Sequence, residues 1–152
     1  MLALNESFII IDCEAKTSDQ VIEALAERLF AKSMVSQDYA RATIARENVH
    51  PTGLPTKPFC IAFPHADADG VNTSALAIAI LKEPVLFKNI ADPDEDLSIE
   101  VVIMMANKDP KEQVKTLRDL ANIFGEPEKL EELRGLQKAV DVVFWMKKEL
   151  NI

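Results

Sequence analysis

Histidine is scarce in this chain: 152 residues hold only His50 and His65. Cysteine is as rare. Cys13 and Cys60 lie far apart without C-x-x-C spacing, which argues against a metal knuckle or a redox pair and suits reduced thiols. Long apolar runs are missing too. The longest, Ala75 to Leu81, is far too short to span a bilayer. The start, Met1-Leu2-Ala3-Leu4-Asn5-Glu6, has neither the basic region nor the apolar stretch of a signal peptide. Positive charge is in deficit, 17 Lys and Arg against 25 Asp and Glu, for a formal net charge of −8. That balance argues against nucleic acid and anionic membranes as general partners and suits a basic protein partner. A cytoplasmic protein with no direct membrane insertion is expected.

What is present is ordinary for a soluble globular protein: 48% hydrophobic and 28% charged residues. One domain over residues 1–152 is the expectation. A chain of this length buries roughly 70% of its unfolded surface and needs no staple.

Strand and helix signals alternate. Phe8 to Ile11 is a β-branched and aromatic run, read as a buried strand. Thr17-Ser18-Asp19-Gln20 matches a capping box, with Gln20 placed to reach back to the Thr17 main chain. Val21, Ile22, Leu25, Leu29 and Phe30 then recur at helical spacing to about Lys32. Ser36 is the expected cap of a second helix ending near Glu47, with Arg46 in its last turn. Pro51, Gly53, Pro55 and Pro58 argue against regular structure before Phe59. Cys60–Phe63 and Ser74–Leu81 read as strands, Val85–Phe87 as a short one after a turn at Pro84, and Ile99–Met104 as another. Asp92 to Asp96 lies in an acidic, solvated turn. Asp109, Pro110 and Glu112 open the clearest helix, with Val114, Leu117, Leu120, Ala121 and Phe124 as its stripe and Gly125 closing it. A short helix from Pro127 carries Leu130 and Leu133. The last, near Lys138 to Leu150, is expected to bury Val140, Val143, Phe144 and Trp145. The pattern argues for an α/β sandwich around one central mixed sheet of about five strands, flanked by helices.

Chemistry concentrates between Arg46 and Asp69. His65 directly follows the Cys60–Phe63 strand, and the carboxyl ends of strands are where α/β sheets place ligand crevices. A neutral imidazole is a competent nucleophile at cytosolic pH without a separate base. Phosphoryl transfer to it needs positioning and charge neutralisation. Arg46 offers a fork of donors for phosphoryl oxygens, and Thr52 and Thr56 offer hydroxyls. A satisfied or solvated histidine in a strand-ending turn fits the same spacing. A third reading takes His65, Asp67 and Asp69, alternating on an extended backbone, as part of a metal site for a small hydrolase. No motif supplies its remaining ligands. Cys13 is followed by Glu14 and no glycine, which opposes an anion-cradling loop. His50, beside Pro51, reads as a loop residue.

Arg46-Glu47, Pro51-Thr52-Gly53 and Ile61-Ala62-Phe63-Pro64-His65 together resemble the signature of IIA components of the bacterial phosphoenolpyruvate-dependent sugar phosphotransferase system. The superfamily is the fructose/mannitol one (PTS EIIA type-2). The galactitol-type branch is the most similar, with its Pro-Thr-Gly loop, its acidic stretch at Asp92–Asp96 and an Asn-Pro-x-x-Gln pattern matched by Asp109 to Gln113. The resemblance spans residues of about 8 to 135. It implies a mixed sheet flanked by helices, with no cofactor and no metal. It also implies a relay: the phosphocarrier HPr phosphorylates His65, which passes the group to a cysteine of a IIB component, and IIB phosphorylates sugar arriving through the membrane IIC permease. Arg46 and Thr52 would stabilise the phosphoryl group. A regulatory IIA-like phosphoprotein, controlling a partner without feeding a transporter, is the alternative. Mannitol and fructose members carry a second histidine where Gln113 stands, and many have one where Phe59 stands. Arg46 and Thr52 are therefore expected to carry more of the stabilisation here.

Overall fold

The computed structural model describes residues 2–152. Ten elements follow one another: β1 (Ile9–Cys13), α1 (Ser18–Ala31), α2 (Tyr39–Val49), β2 (Gly53–Leu54), β3 (Cys60–Ala62), β4 (Ala75–Lys88), β5 (Asp96–Ala106), α3 (Pro110–Phe124), α4 (Pro127–Arg134) and α5 (Ala139–Leu150). The strands form one mixed sheet in the order β1-β4-β5-β3-β2. β1 runs parallel to β4 and β3 parallel to β5, while β4/β5 and β2/β3 are antiparallel. This is the expected α/β architecture. No described helix is long and apolar enough to cross a membrane.

The central strands show why two helical layers form. Along β4, Ala75, Ala77, Ala79 and Leu81 point to one face, where they meet Val21, Ile22, Leu25 and Leu29 of α1 and Tyr39 of α2. Leu76, Ile78 and Ile80 point to the other, against Leu120 and Phe124 of α3, Leu130 and Leu133 of α4, and Val142 and Met146 of α5. Strand side chains alternate, so a strand buried on both faces reads as a continuous apolar run. One face of β4 is thus mostly alanine, under α1 and α2, and the other carries the larger Leu76, Ile78 and Ile80, under three helices.

Several local expectations change. β4 is one strand, not two: Pro84 falls where the pairing register shifts between Ile80 and Val85, and a bulge tolerates a proline without its N–H. The proline loop does contain a strand, two-residue β2, which forms an edge of the sheet. Gly53 is needed there because a Cβ would lie 2.5 Å from the Lys88 carbonyl oxygen. Thr17 caps α1 as expected, accepting from the Gln20 N–H, but Gln20 accepts from the Lys16 N–H rather than reaching Thr17. Asp38, not Ser36, is the residue before α2, and its side chain makes no capping bond. Asp109 caps α3. Glu112 accepts from the Ser74 hydroxyl instead of closing a box, and Gly125 ends α3 with an ordinary φ of −71°. Val114 and Ala121 face outward, leaving Thr116, Leu120 and Phe124 as the buried positions of α3. In α5 the register differs as well. Val142 and Met146 are fully buried, whereas Val140 and Phe144 are 50% and 73% exposed, because the sheet-facing stripe lies two positions further along.

Candidate functional site

β3 ends at Ala62, and Pro64, without an N–H, cannot extend it. The chain nevertheless stays beside β5: the Met105 N–H donates to the Pro64 carbonyl at 3.1 Å, and His65 pairs with Met105 as an isolated bridge. His65 is thereby held at the carboxyl end of β3, only 6% exposed. Its Nδ1 lies 2.8 Å from the Phe63 carbonyl oxygen. A carbonyl only accepts, so Nδ1 carries the hydrogen and Nε2 keeps its lone pair. Burial is the main cause that pushes the His65 pKa below the ordinary histidine value, helped by the nearby Arg46 charge. The Phe63 carbonyl and Asp67 act against it. The ring is therefore neutral across the usual cytosolic range.

Arg46 reaches the same place from the last turn of α2. Arg46 and His65 line one open depression of about 300 Å³ with Thr52, Val49, Ile90 and Leu117. The Arg46 Nη1 is 3.9 Å from an Asp67 carboxylate oxygen, a loose, half-solvated pair. Its Nε is buried without an acceptor. A buried donor left unpaired is costly. His50 lines the same depression at its exposed margin. α3 contributes Leu117, one turn beyond Gln113.

Thr52 is beside this depression, but its donors are engaged. Its N–H and its hydroxyl donate to the two oxygens of Glu47, each at 2.8 Å. Both residues are buried. Burial raises the Glu47 pKa, while the two bonds from Thr52 and the neighbouring Arg46 hold it down. Thr56 uses its hydroxyl on the Phe59 carbonyl within the proline loop. Cys13 is buried at the end of β1 against the α1 side of the core. The extended alternation that the metal reading used does not continue to Asp69, because the chain enters a 3-10 turn over Ala68–Gly70. Among the described residues, no three His, Cys, Asp or Glu side chains gather to hold an ion.

Two buried polar residues were not singled out by spacing. Glu47 holds the loop before His65, and Tyr39 donates its hydroxyl to the Met105 carbonyl at 2.7 Å while accepting from the Ala66 N–H at 3.2 Å. The signal was available. Tyr39, Thr43 and Glu47, four residues apart, make up the buried face of α2, and a helix that buries a polar stripe holds something with it.

A buried histidine thus lies at a strand end, in one depression with a guanidinium whose only carboxylate contact among the described residues is the loose one to Asp67. The chain belongs to the family described as "Phosphoenolpyruvate-dependent sugar phosphotransferase system, EIIA 2", whose model matches residues 3–148. The galactitol-specific EIIA component of Escherichia coli (strain K12) is 32% identical over 114 residues, which are 75% of this chain and 75% of that protein. The transcriptional regulator ManR of Bacillus subtilis is 31% identical over 119 residues, 78% of this chain but 17% of that regulator. Among solved structures, the Escherichia coli complex of enzyme IIAMTL with phosphorylated enzyme IIBMTL superposes with a TM-score of 0.76. It is 23% identical and covers 99% of both chains, which is a likeness of fold.

Proposed function

We propose that this chain, as one domain over its 152 residues, is the cytoplasmic phosphoryl-carrying IIA component of a galactitol-type sugar uptake system. HPr donates the group, and His65 accepts it on Nε2. The Nε2 lone pair forms the new bond to phosphorus as the bond to the donor's leaving atom breaks, and that atom keeps the electron pair. The hydrogen stays on Nδ1, donated to the Phe63 carbonyl throughout, so no base is required. Arg46 meets the phosphoryl oxygens with its fork of donors, giving up its loose contact with Asp67. Thr52 joins only by turning its hydroxyl away from Glu47. A IIB cysteine then takes the group, and the membrane IIC permease is served indirectly through IIB.

The observation that carries this reading is the 2.8 Å Nδ1–Phe63 bond on a buried ring, which selects Nε2 as the nucleophilic nitrogen next to a guanidinium. Incubation with phosphoenolpyruvate, Enzyme I and HPr should add one phosphoryl group by mass spectrometry, and His65→Ala should abolish it. Full labelling of His65→Ala would remove His65 from this role. The ManR likeness favours a second reading, in which phosphorylation of the same histidine regulates a partner. In that case the phosphorylated protein transfers nothing to a IIB cysteine.

A further inference from the structure

Three hydrogen bonds fix the main chain around His65. His65 Nδ1 holds the Phe63 carbonyl, the Met105 N–H holds the Pro64 carbonyl, and the Tyr39 hydroxyl holds the Ala66 N–H. The same hydroxyl donates to the Met105 carbonyl. Tyr39 thus clamps the segment after His65 to the strand residue beside which His65 lies. It is 1% exposed and is not among the residues that line the depression holding His65. Burial pushes its phenol up to about 12, so the donor hydrogen is retained at any working pH. Tyr39 opens α2 and Arg46 lies in its last turn, seven residues on. At 3.6 residues per turn these positions lie close to one face. A single rigid helix therefore sets both the histidine turn and the guanidinium, and the separation of the two does not depend on a loop.

Resting on the reading of His65 above, we infer that Tyr39 is a positioning residue: its hydroxyl holds the His65 ring in register with Arg46 for phosphoryl transfer. Small misplacements of a reacting group cost large factors in rate. Tyr39→Phe keeps the ring and deletes only the hydroxyl.

In single-turnover transfer from phosphorylated HPr, Tyr39→Phe should lower the limiting rate about tenfold. The half-saturating donor concentration should not change, because the hydroxyl is out of the donor's reach. Nitrogen-15 spectra should show the His65 ring losing its single Nδ1–H tautomer. Leu130→Ala, in the core on the opposite face of the sheet, controls for stability: it should lower Tm and leave the limiting rate alone. Tyr39 is the only tyrosine, so incorporating 3-fluorotyrosine gives a second perturbation that keeps both volume and hydroxyl. It should move the Ala66 and His65 nitrogen resonances and the limiting rate together. An unchanged limiting rate in Tyr39→Phe overturns the inference, as does an equal slowing by Leu130→Ala. So does a fluorotyrosine protein whose resonances move while its rate does not. A wild-type protein that accepts no phosphoryl group defeats the reading of His65 and this inference with it.

Discussion

Replacing Glu47 by alanine would strip two buried donors of their acceptors at once, the Thr52 N–H and the Thr52 hydroxyl, each bonded at 2.8 Å. An unsatisfied buried donor costs about 1–3 kcal/mol. Glu47 itself is a buried acid whose charged form is disfavoured, and removing it recovers part of that cost. A net loss of about 2–4 kcal/mol follows. Glu47→Gln is the sharper comparison. Its carbonyl can accept from the Thr52 N–H, and its amide can donate to the Thr52 hydroxyl oxygen, so the clasp survives without the charge. The pH dependence has a definite sign. A folded pKa raised by burial gives a contribution that is complete below the usual glutamate range and is lost as pH rises through the folded pKa. Wild type should therefore lose ground to Glu47→Gln between measurements at pH 4 and pH 8, the first just below and the second well above the ordinary glutamate value of about 4.3. Urea unfolding of all three proteins at both pH values measures this. A Glu47→Ala loss below about 1 kcal/mol would refute the clasp, and a relative stability that moves the other way would refute the burial argument.

Three further outcomes are expected. Met146→Ala should cost about 2–5 kcal/mol and Phe144→Ala less than about 0.5, since only Met146 is in the core; equal losses in urea unfolding would contradict the assigned face of α5. Because burial holds the His65 pKa down, single-turnover phosphoryl acceptance should stay flat as pH falls to about 6.5 and decline only below it. A midpoint at or above that value would refute the depression by burial. The same depression means that His65 contributes stability above the ordinary histidine pKa and loses it as pH falls through the folded value. Arg46→Ala should leave the melting temperature nearly unchanged while slowing phosphoryl acceptance about 10²-fold; an unchanged rate would take Arg46 out of the site.

Reading the order of elements needed only local signals, and those are strong here. Thr17 and Asp109 as caps, the alternating apolar runs around Ile78 and Ile103, and Pro127 at a helix start are all visible in short windows. Where the structure departs, a distant contact decided. Pro84 looks like a turn until ten residues of β4 find partners on β5. Gly53 looks like loop until it pairs with Ala62, and Leu54 with Ile61. α5 holds apolar side chains on two sides, and only the sheet says which is inside. The candidate site divides in the same way. His65 and Arg46 were legible because strand end and helix end are local facts, and the structure brings both to one depression. The partner of the Thr52 hydroxyl was not, although Glu47 is only five residues away, because the way the chain turns after α2 decides which side chain it meets. Tyr39 was hidden further still, its partners Ala66 and Met105 being fixed by sheet order.

The rims of the sheet bear on how long any complex lasts. β2 is two residues set between Pro51 and Pro55, and β1, at the opposite rim, is broken by a register shift and by Asp12 at a φ of 53°. Neither rim offers the straight row of free amides that lets a foreign strand join a sheet. A partner would therefore dock through side chains rather than by adding a strand, and such contacts form and part without main-chain rearrangement. Contacts made that way favour shorter residence times than a shared sheet would.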